Sequence, residues 1–122
     1  MKYIVKKKAS DEIRRFYKNV SKKYKNTYSL SLMIKNINDA MDAILSIENG
    51  LIRKTPTIKR WDGLYMATYS VKNKSRWNFA YRIEGDTIYV EDACHAQNMN
   101  ESLDTANFIE NYYNIFRMLL MQ

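Results

Sequence analysis

The sequence predicts an α+β fold: a short N-terminal strand, a helical hairpin, a three-stranded antiparallel meander and an additional C-terminal helix. Two patterns carry this prediction. Apolar residues recur every three or four positions between residues 10 and 50, which is the period of helices buried on one face. Between residues 77 and 90 they recur at every second position, which is the period of strands with one buried face. A length of 122 residues fits a single domain with one core.

The first half of the chain is predicted to hold one strand and two helices. Residues 2–8 read as the strand. Ser10 or Asp11 is expected to cap the first helix, because a short oxygen-bearing side chain accepts from the free amides of a first turn. The apolar stripe of this helix is Ile13, Phe16, Tyr17, Val20 and Tyr24. The second helix is expected to start near Ser29 or Ser31, with a stripe formed by Leu30, Met33, Ile34, Ile37, Met41, Ile44 and Leu45.

The second half is predicted to form the meander and the last helix. Pro56 marks the entry into the sheet. Strand material is predicted at 57–60 and 64–71, broken at Asp62-Gly63, and it is followed by a hairpin that turns at Glu84-Gly-Asp86 and ends near residue 95. Residues 1–99 would then be the core of the domain, and residues 100–122 its C-terminal helix.

The two faces of this hairpin are predicted to differ in character. Since alternate side chains of a strand point to opposite faces, the helices are expected to cover Trp77, Phe79, Tyr81, Ile88 and Val90. The open face would carry Arg76, Arg82, Tyr89, Glu91 and His95. Cys94 and His95 are expected on opposite faces, which argues against a Cys–His nucleophile pair.

Charge is distributed unevenly along the chain. The net charge is +7, yet residues 1–25 hold ten Lys/Arg against two acids, and residues 51–82 hold eight against one. Residues 83–122 hold one basic residue against seven acids. Basic blocks of this kind favour an anionic partner, most often a nucleic acid, although a Lys-rich helix is also commonly just a solvated face.

Composition also bears on compartment and cofactors. No apolar run is long enough for a transmembrane helix, and no secretory signal is indicated, so a cytoplasmic protein without membrane contact is expected. The single cysteine fits a reducing compartment. One histidine and one cysteine at adjacent positions cannot supply a metal ligand set, and no cofactor motif is present.

The open face is a candidate surface for metal-independent cleavage of RNA. That reaction needs proton transfer at the 2′-hydroxyl and the 5′-oxygen, and cations that stabilise the charge on phosphorus. His95 is suited to proton transfer, Glu91 to assisting it, and Arg76 and Arg82 to binding the phosphate. The cations predicted to hold the RNA backbone are Lys54, Lys59, Arg60, Lys72 and Lys74.

Part of this hairpin resembles a known family. The segment Tyr81-Arg-Ile-Glu-Gly-Asp-Thr-Ile-Tyr-Val90, followed by Ala93-Cys94-His95, is similar to the penultimate hairpin and last strand of the RelE/ParE superfamily of bacterial type II toxins. The resemblance covers roughly residues 1–99. It implies an endoribonuclease that cleaves mRNA on the ribosome without a cofactor and is neutralised by a cognate antitoxin protein. The C-terminal helix is an addition to this pattern and a candidate for homodimer formation.

Two positions depart from the family pattern. Asn78 stands where RNA-cleaving members usually carry an arginine, and Ala96 stands where a basic residue is common. These departures favour an alternative: a non-catalytic protein of the same fold that acts by binding, either as a relative of the gyrase poisons or as a nucleic-acid-binding module. In the latter, Trp61, Tyr65 and Tyr69 would stack on bases, although such aromatics more often pack within a sheet.

Overall fold

Two helices pack on one face of a five-stranded mixed sheet. The computed structural model describes residues 1–49, 52–54, 56, 58–71 and 75–99. Its strands are β1 (Lys2–Val5), β2 (Ile52–Lys54), β3 (Tyr65–Val71), β4 (Ser75–Glu84) and β5 (Thr87–His95). Its helices are α1 (Lys7–Lys23) and α2 (Leu30–Ile44), and two 3-10 turns span Lys59–Trp61 and Ala96–Asn98. The predicted α+β class is confirmed, whereas the predicted C-terminal helix lies outside the described residues.

The strand order is β1-β5-β4-β3-β2. The N-terminal strand pairs in parallel with β5, and the other neighbours are antiparallel. The meander from β3 to β5 therefore forms as predicted, and Gly85 takes the left-handed φ of +58° in its tight turn. The strand predicted at 57–60 is wrong, because the chain turns there into the 3-10 segment Lys59–Trp61. The short strand β2 was not predicted.

The two helices begin in different ways. The helix α2 starts at Leu30, close to the predicted position, and Ser29 caps it, since the Ser29 hydroxyl accepts from the Leu32 amide at 3.1 Å. The cap predicted for the first helix at Ser10 or Asp11 is wrong. That helix starts at Lys7, directly after an extended Lys6 that makes no side-chain cap. The early start shortens the first strand to four residues.

The main core lies between the sheet and the two helices. Its fully buried large side chains include Ile13, Ile44, Trp77, Phe79, Ile88 and Val90. Trp77 donates its indole N–H to the Tyr17 hydroxyl at 2.9 Å, so this buried polar group has a hydrogen-bond partner. The predicted helix-facing set of the hairpin is therefore confirmed.

A second, smaller core covers part of the opposite face, which we had expected to be open. It consists of Ile58, Trp61, Met66, Ala80 and Cys94. The segment that carries Ile58 and Trp61 packs on this face of the sheet, and Trp61 is 1% exposed. The sheet therefore has one face that the helices largely cover and one face that is covered in part, near the C-terminal end of β5.

A β-bulge changes which face the end of β5 presents. Asp92 pairs with Ala80, but the next residue of β4, Tyr81, pairs with Val90. Glu91 is thus an extra residue that has no cross-strand partner on β4. One inserted residue reverses the sides of all residues beyond it. This reversal determines where His95 lies.

Candidate active site

His95 lies on the helix face of the sheet and not on the opposite face, where strict alternation predicted it. It is directly opposite Trp77 in the β4–β5 register, so the two side chains share a face. Its ring stacks on Phe16 of α1, with centroids 4.0 Å apart and planes 11° apart. The physical reason for the correction is the extra residue Glu91. Cys94 is buried in the smaller core across the sheet, so the predicted separation of Cys94 from His95 is confirmed.

Burial sets the protonation state of His95. The residue is 7% exposed, and it contacts the edge of Trp77 with ring centroids 5.3 Å apart. Desolvation disfavours the charged imidazolium and lowers the pKa of His95 to about 4. The imidazole is therefore neutral at pH 7, which is the form that accepts a proton.

The ring borders a pocket of about 250 Å³ beside the C-terminal end of β5. The pocket exists there because β1 ends at Val5, which pairs with Val90, while β5 continues to His95. The N-terminal half of α1 forms one wall, and the two 3-10 turns contribute to the others. The polar residues that line it are Lys8, Glu12, Arg15, Asn19, Arg60, His95 and Asn98.

Asp92 holds two of the pocket's cations in place. Its carboxylate is almost completely buried and accepts the indole N–H of Trp61 at 2.8 Å. The same oxygen lies 3.2 Å from Lys8 Nζ and 3.3 Å from Arg60 Nε. Its other oxygen accepts the Ala93 amide at 2.8 Å. A carboxylate with this many partners fixes the positions of Lys8 and Arg60, which belong to different elements, at one rim of the pocket.

A second ion pair orients the third cation. Arg15 donates from Nη1 to Glu12 Oε1 at 2.7 Å, one helical turn away on α1. Because Lys8, Glu12 and Arg15 are spaced by four and three residues, they project from the same side of the helix. The pocket therefore combines a neutral imidazole with three cations and the Glu12 carboxylate.

The predicted partners of His95 on the sheet lie elsewhere. Arg82 donates from Nε to Glu91 at 2.8 Å, also pairs with Glu84, and lies over the Tyr89 ring at 4.0 Å. None of these residues lines the pocket. The predicted cluster of Arg82, Glu91 and His95 is therefore not formed, because the bulge sends His95 to the other face. Two carboxylates already neutralise Arg82.

The remaining predicted positions are scattered. Arg60 lines the pocket. Neither Arg76 on β4 nor Lys59, the residue before Arg60, lines it, and both are exposed. Lys54 belongs to β2, and its side chain is outside the described part of the structure. Lys72 and Lys74 lie outside the described residues. Asn78 lies in the sheet, where its side-chain oxygen accepts a hydrogen bond from the Thr68 hydroxyl at 2.8 Å.

Several residues that line the pocket or hold its cations in place were not predicted from the sequence. Lys8, Glu12 and Arg15 had a usable signal, since their helical spacing places them on one side of α1 next to the apolar stripe. Asp92 had none, because a bulge that turns a carboxylate toward Trp61 depends on non-local packing. The apolar stripe itself correctly placed Phe16 toward the sheet.

The described residues contain no group of three or more His, Cys, Asp or Glu side chains arranged to hold a metal ion. Within the same part of the chain, no helix has the length and apolar character needed to cross a membrane. Comparisons of the chain with protein-family models, with curated proteins and with solved structures found no match.

Proposed function

We propose that the protein is a metal-independent endoribonuclease whose active site is the pocket beside His95. The observation that carries this proposal is the convergence of a neutral imidazole with Lys8, Arg15 and Arg60 in one pocket. The cations suit a phosphodiester, and the imidazole suits removal of the 2′-hydroxyl proton. Neither role requires a bound metal.

The reaction follows from these groups. His95 accepts the proton of the 2′-hydroxyl while the 2′-oxygen attacks phosphorus, and the bond from phosphorus to the 5′-oxygen breaks. Lys8 protonates the departing oxygen, and Arg60 and Arg15 stabilise the charge on the phosphoryl oxygens. The products are a 2′,3′-cyclic phosphate and a free 5′-hydroxyl. A phosphate bound beside the ring favours the imidazolium, so it raises the pKa of His95 and makes it a stronger base.

The biological setting that we infer is a type II toxin–antitoxin system. The resemblance of the β4–β5 hairpin to the RelE/ParE superfamily and the strongly basic N-terminal half support this inference. The substrate would be mRNA, with the ribosome as the site of cleavage, and an antitoxin protein would neutralise the activity. Induced expression is then expected to arrest growth, and co-expression of the product of a neighbouring gene to relieve the arrest.

The direct test uses purified protein and a labelled RNA. We expect cleavage in the presence of a chelator, with cyclic phosphate ends, and no cleavage of the same sequence in DNA. His95→Gln and Lys8→Gln are each expected to lower the rate at least 100-fold, since one proton-transfer group typically contributes about 10²–10⁴. Lys35→Gln removes the same charge from α2, away from the pocket, and should cleave normally. An RNA that the wild-type protein leaves intact both free in solution and bound to ribosomes would refute the proposal, as would equal rates in all variants.

A second candidate function is that of a non-catalytic protein of the same fold, which acts by binding alone. The low pKa of His95, about 4, favours it, because a ring so strongly desolvated is a weak base before substrate binds. In this case the wild type would arrest growth while RNA stays intact, and His95→Gln would remain toxic. DNA breaks after induction would identify a gyrase poison, and their absence a nucleic-acid-binding module.

A further inference from the structure

The outer side of α1 carries a row of cations that leads into the pocket. A second concavity of about 310 Å³ is lined by Asp11, Arg14, Arg15, Lys18, Asn19 and Lys22. Arg15 and Asn19 also line the pocket beside His95. The two depressions therefore adjoin each other along the helix, with Arg15 and Asn19 lining both, and together they are called the groove. We call Arg14, Arg15, Lys18 and Lys22 the α1 stripe.

We propose that the α1 stripe binds the backbone of a single-stranded nucleic acid and directs it into the His95 pocket. The proposal rests on the function proposed above for the pocket, which it extends by naming the path of the substrate. It also differs from the sequence-based expectation, in which cations between residues 54 and 74, such as Lys54 and Lys59, hold the RNA backbone.

The charge of the stripe is only partly compensated. Arg15 pairs with Glu12, and Arg14 is 3.9 Å from Asp11, which also pairs with Lys7. Lys18 and Lys22 form no ion pair with any residue that the structure describes. Such uncompensated cations bind phosphates and release counterions when they do so.

The dimensions fit a short polynucleotide. Lys8 and Lys22 are fourteen residues apart on one helix, which corresponds to about 21 Å at a rise of 1.5 Å per residue. At about 3.4 Å per stacked nucleotide, this length spans roughly six nucleotides. The groove ends at the stacked rings of Phe16 and His95 in a pocket of about 250 Å³, which admits an unpaired nucleotide but no duplex.

The composition of the helix argues against a membrane as the partner. Helices that lie on membranes combine a basic face with exposed large apolar residues that enter the lipid. The exposed residues of α1 are Lys7, Lys8, Arg14, Arg15, Lys18, Asn19, Lys22 and Lys23. All are polar, and the apolar side chains of the helix pack toward the sheet.

The test measures binding without cleavage. The probe is a fluorescent 2′-O-methyl RNA octamer, which cannot be cleaved because it lacks the attacking hydroxyl. Its affinity is measured by anisotropy between 50 and 300 mM salt. For Lys18→Gln/Lys22→Gln we expect affinity to fall about tenfold or more near 0.1 M salt. The slope of log affinity against log salt should become less steep by about 1.4, since each contact to a single strand contributes about 0.7.

A matched variant separates a specific surface from general charge. Lys2→Gln/Lys35→Gln removes the same two charges from β1 and α2, and it should bind the octamer like the wild type. Lys2 pairs with Thr87, at the opposite end of β5 from the pocket. Circular dichroism and urea unfolding verify that both variants are folded.

The outcomes are distinct from those of the cleavage test. Equal losses in the two double variants would overturn the proposal, and so would binding of poly-glutamate or of anionic lipid vesicles as tight as that of the octamer. If the wild type cleaves no RNA yet binds the octamer through Lys18 and Lys22, the ribonuclease proposal fails while the nucleic-acid surface stands.

Discussion

The burial of His95 predicts that acid destabilises this protein through a single side chain. In the native state the pKa of His95 is about 4, whereas an exposed imidazole in the unfolded chain titrates near 6.5. Between these values the unfolded state binds a proton that the native state does not. The stability contributed by the neutral ring is therefore complete above pH 6.5, and it is lost as pH falls toward 4.

The size of the loss follows from the two pKa values. Linkage gives a decrease of about 1.4 kcal/mol at pH 5.5 and about 2.5 kcal/mol at pH 4.5, relative to pH 7.5. These losses are large against a typical free energy of unfolding of 5–15 kcal/mol.

The assay compares urea unfolding of the wild type and His95→Gln at several pH values between 7.5 and 4.5. Carboxylates also titrate in this range, but they are common to both proteins and cancel in the difference. The wild type should lose up to about 2.5 kcal/mol more than the variant. An NMR titration of the ring measures the native pKa directly, since the chain has one histidine. Parallel stability curves, or a native pKa above 6, would refute the reasoning from burial.

Two further substitutions test the contacts around the bulge. Trp61→Phe removes the 2.8 Å hydrogen bond to the buried Asp92 carboxylate, so urea unfolding should show a loss of about 1–3 kcal/mol; an unchanged midpoint would mean that the bond adds nothing. Arg82→Gln breaks pairs with Glu84 and Glu91 on a partly exposed surface, so the same measurement should show a loss below about 1 kcal/mol. The RNA cleavage rate of Arg82→Gln should equal that of the wild type, and a large decrease would mean that Arg82 belongs to the active site.

Local sequence patterns predicted much of the fold. The stripe of α1 and the alternation in the hairpin both report which side chains avoid water, and the structure buries Ile13, Phe79 and Val90 accordingly. The start of α2 near Ser29 was also predictable, because the Ser29 hydroxyl accepts a hydrogen bond from an amide only three residues away. In each case the sequence signal that indicates the structure lies within a few residues.

The pairing of distant segments was less predictable. The strand expected at 57–60 has the apolar Ile58, but that side chain is buried against the far face of the sheet instead of pairing in it. The first helix starts at Lys7 without a capping side chain, since the parallel pairing of β1 ends at Val5 and the chain must leave the sheet there. Neither event has a signature in the neighbouring residues.

The candidate site shows how one residue redirects a functional prediction. Alternation from Val90 onward placed His95 beside Glu91 and Arg82, and it fails because Glu91 is the extra residue of a bulge. The same insertion turns Asp92 toward Trp61, where the Asp92 carboxylate pairs with Lys8 and Arg60. It also turns His95 toward Phe16. The anchoring carboxylate and the imidazole thus lie on opposite faces at one end of β5, and the cations reach the pocket around the edge of β5 that β1 does not cover. The arrangement needs both the bulge and the early end of β1, so a site that strict alternation assigned to the sheet surface forms at the edge of the sheet.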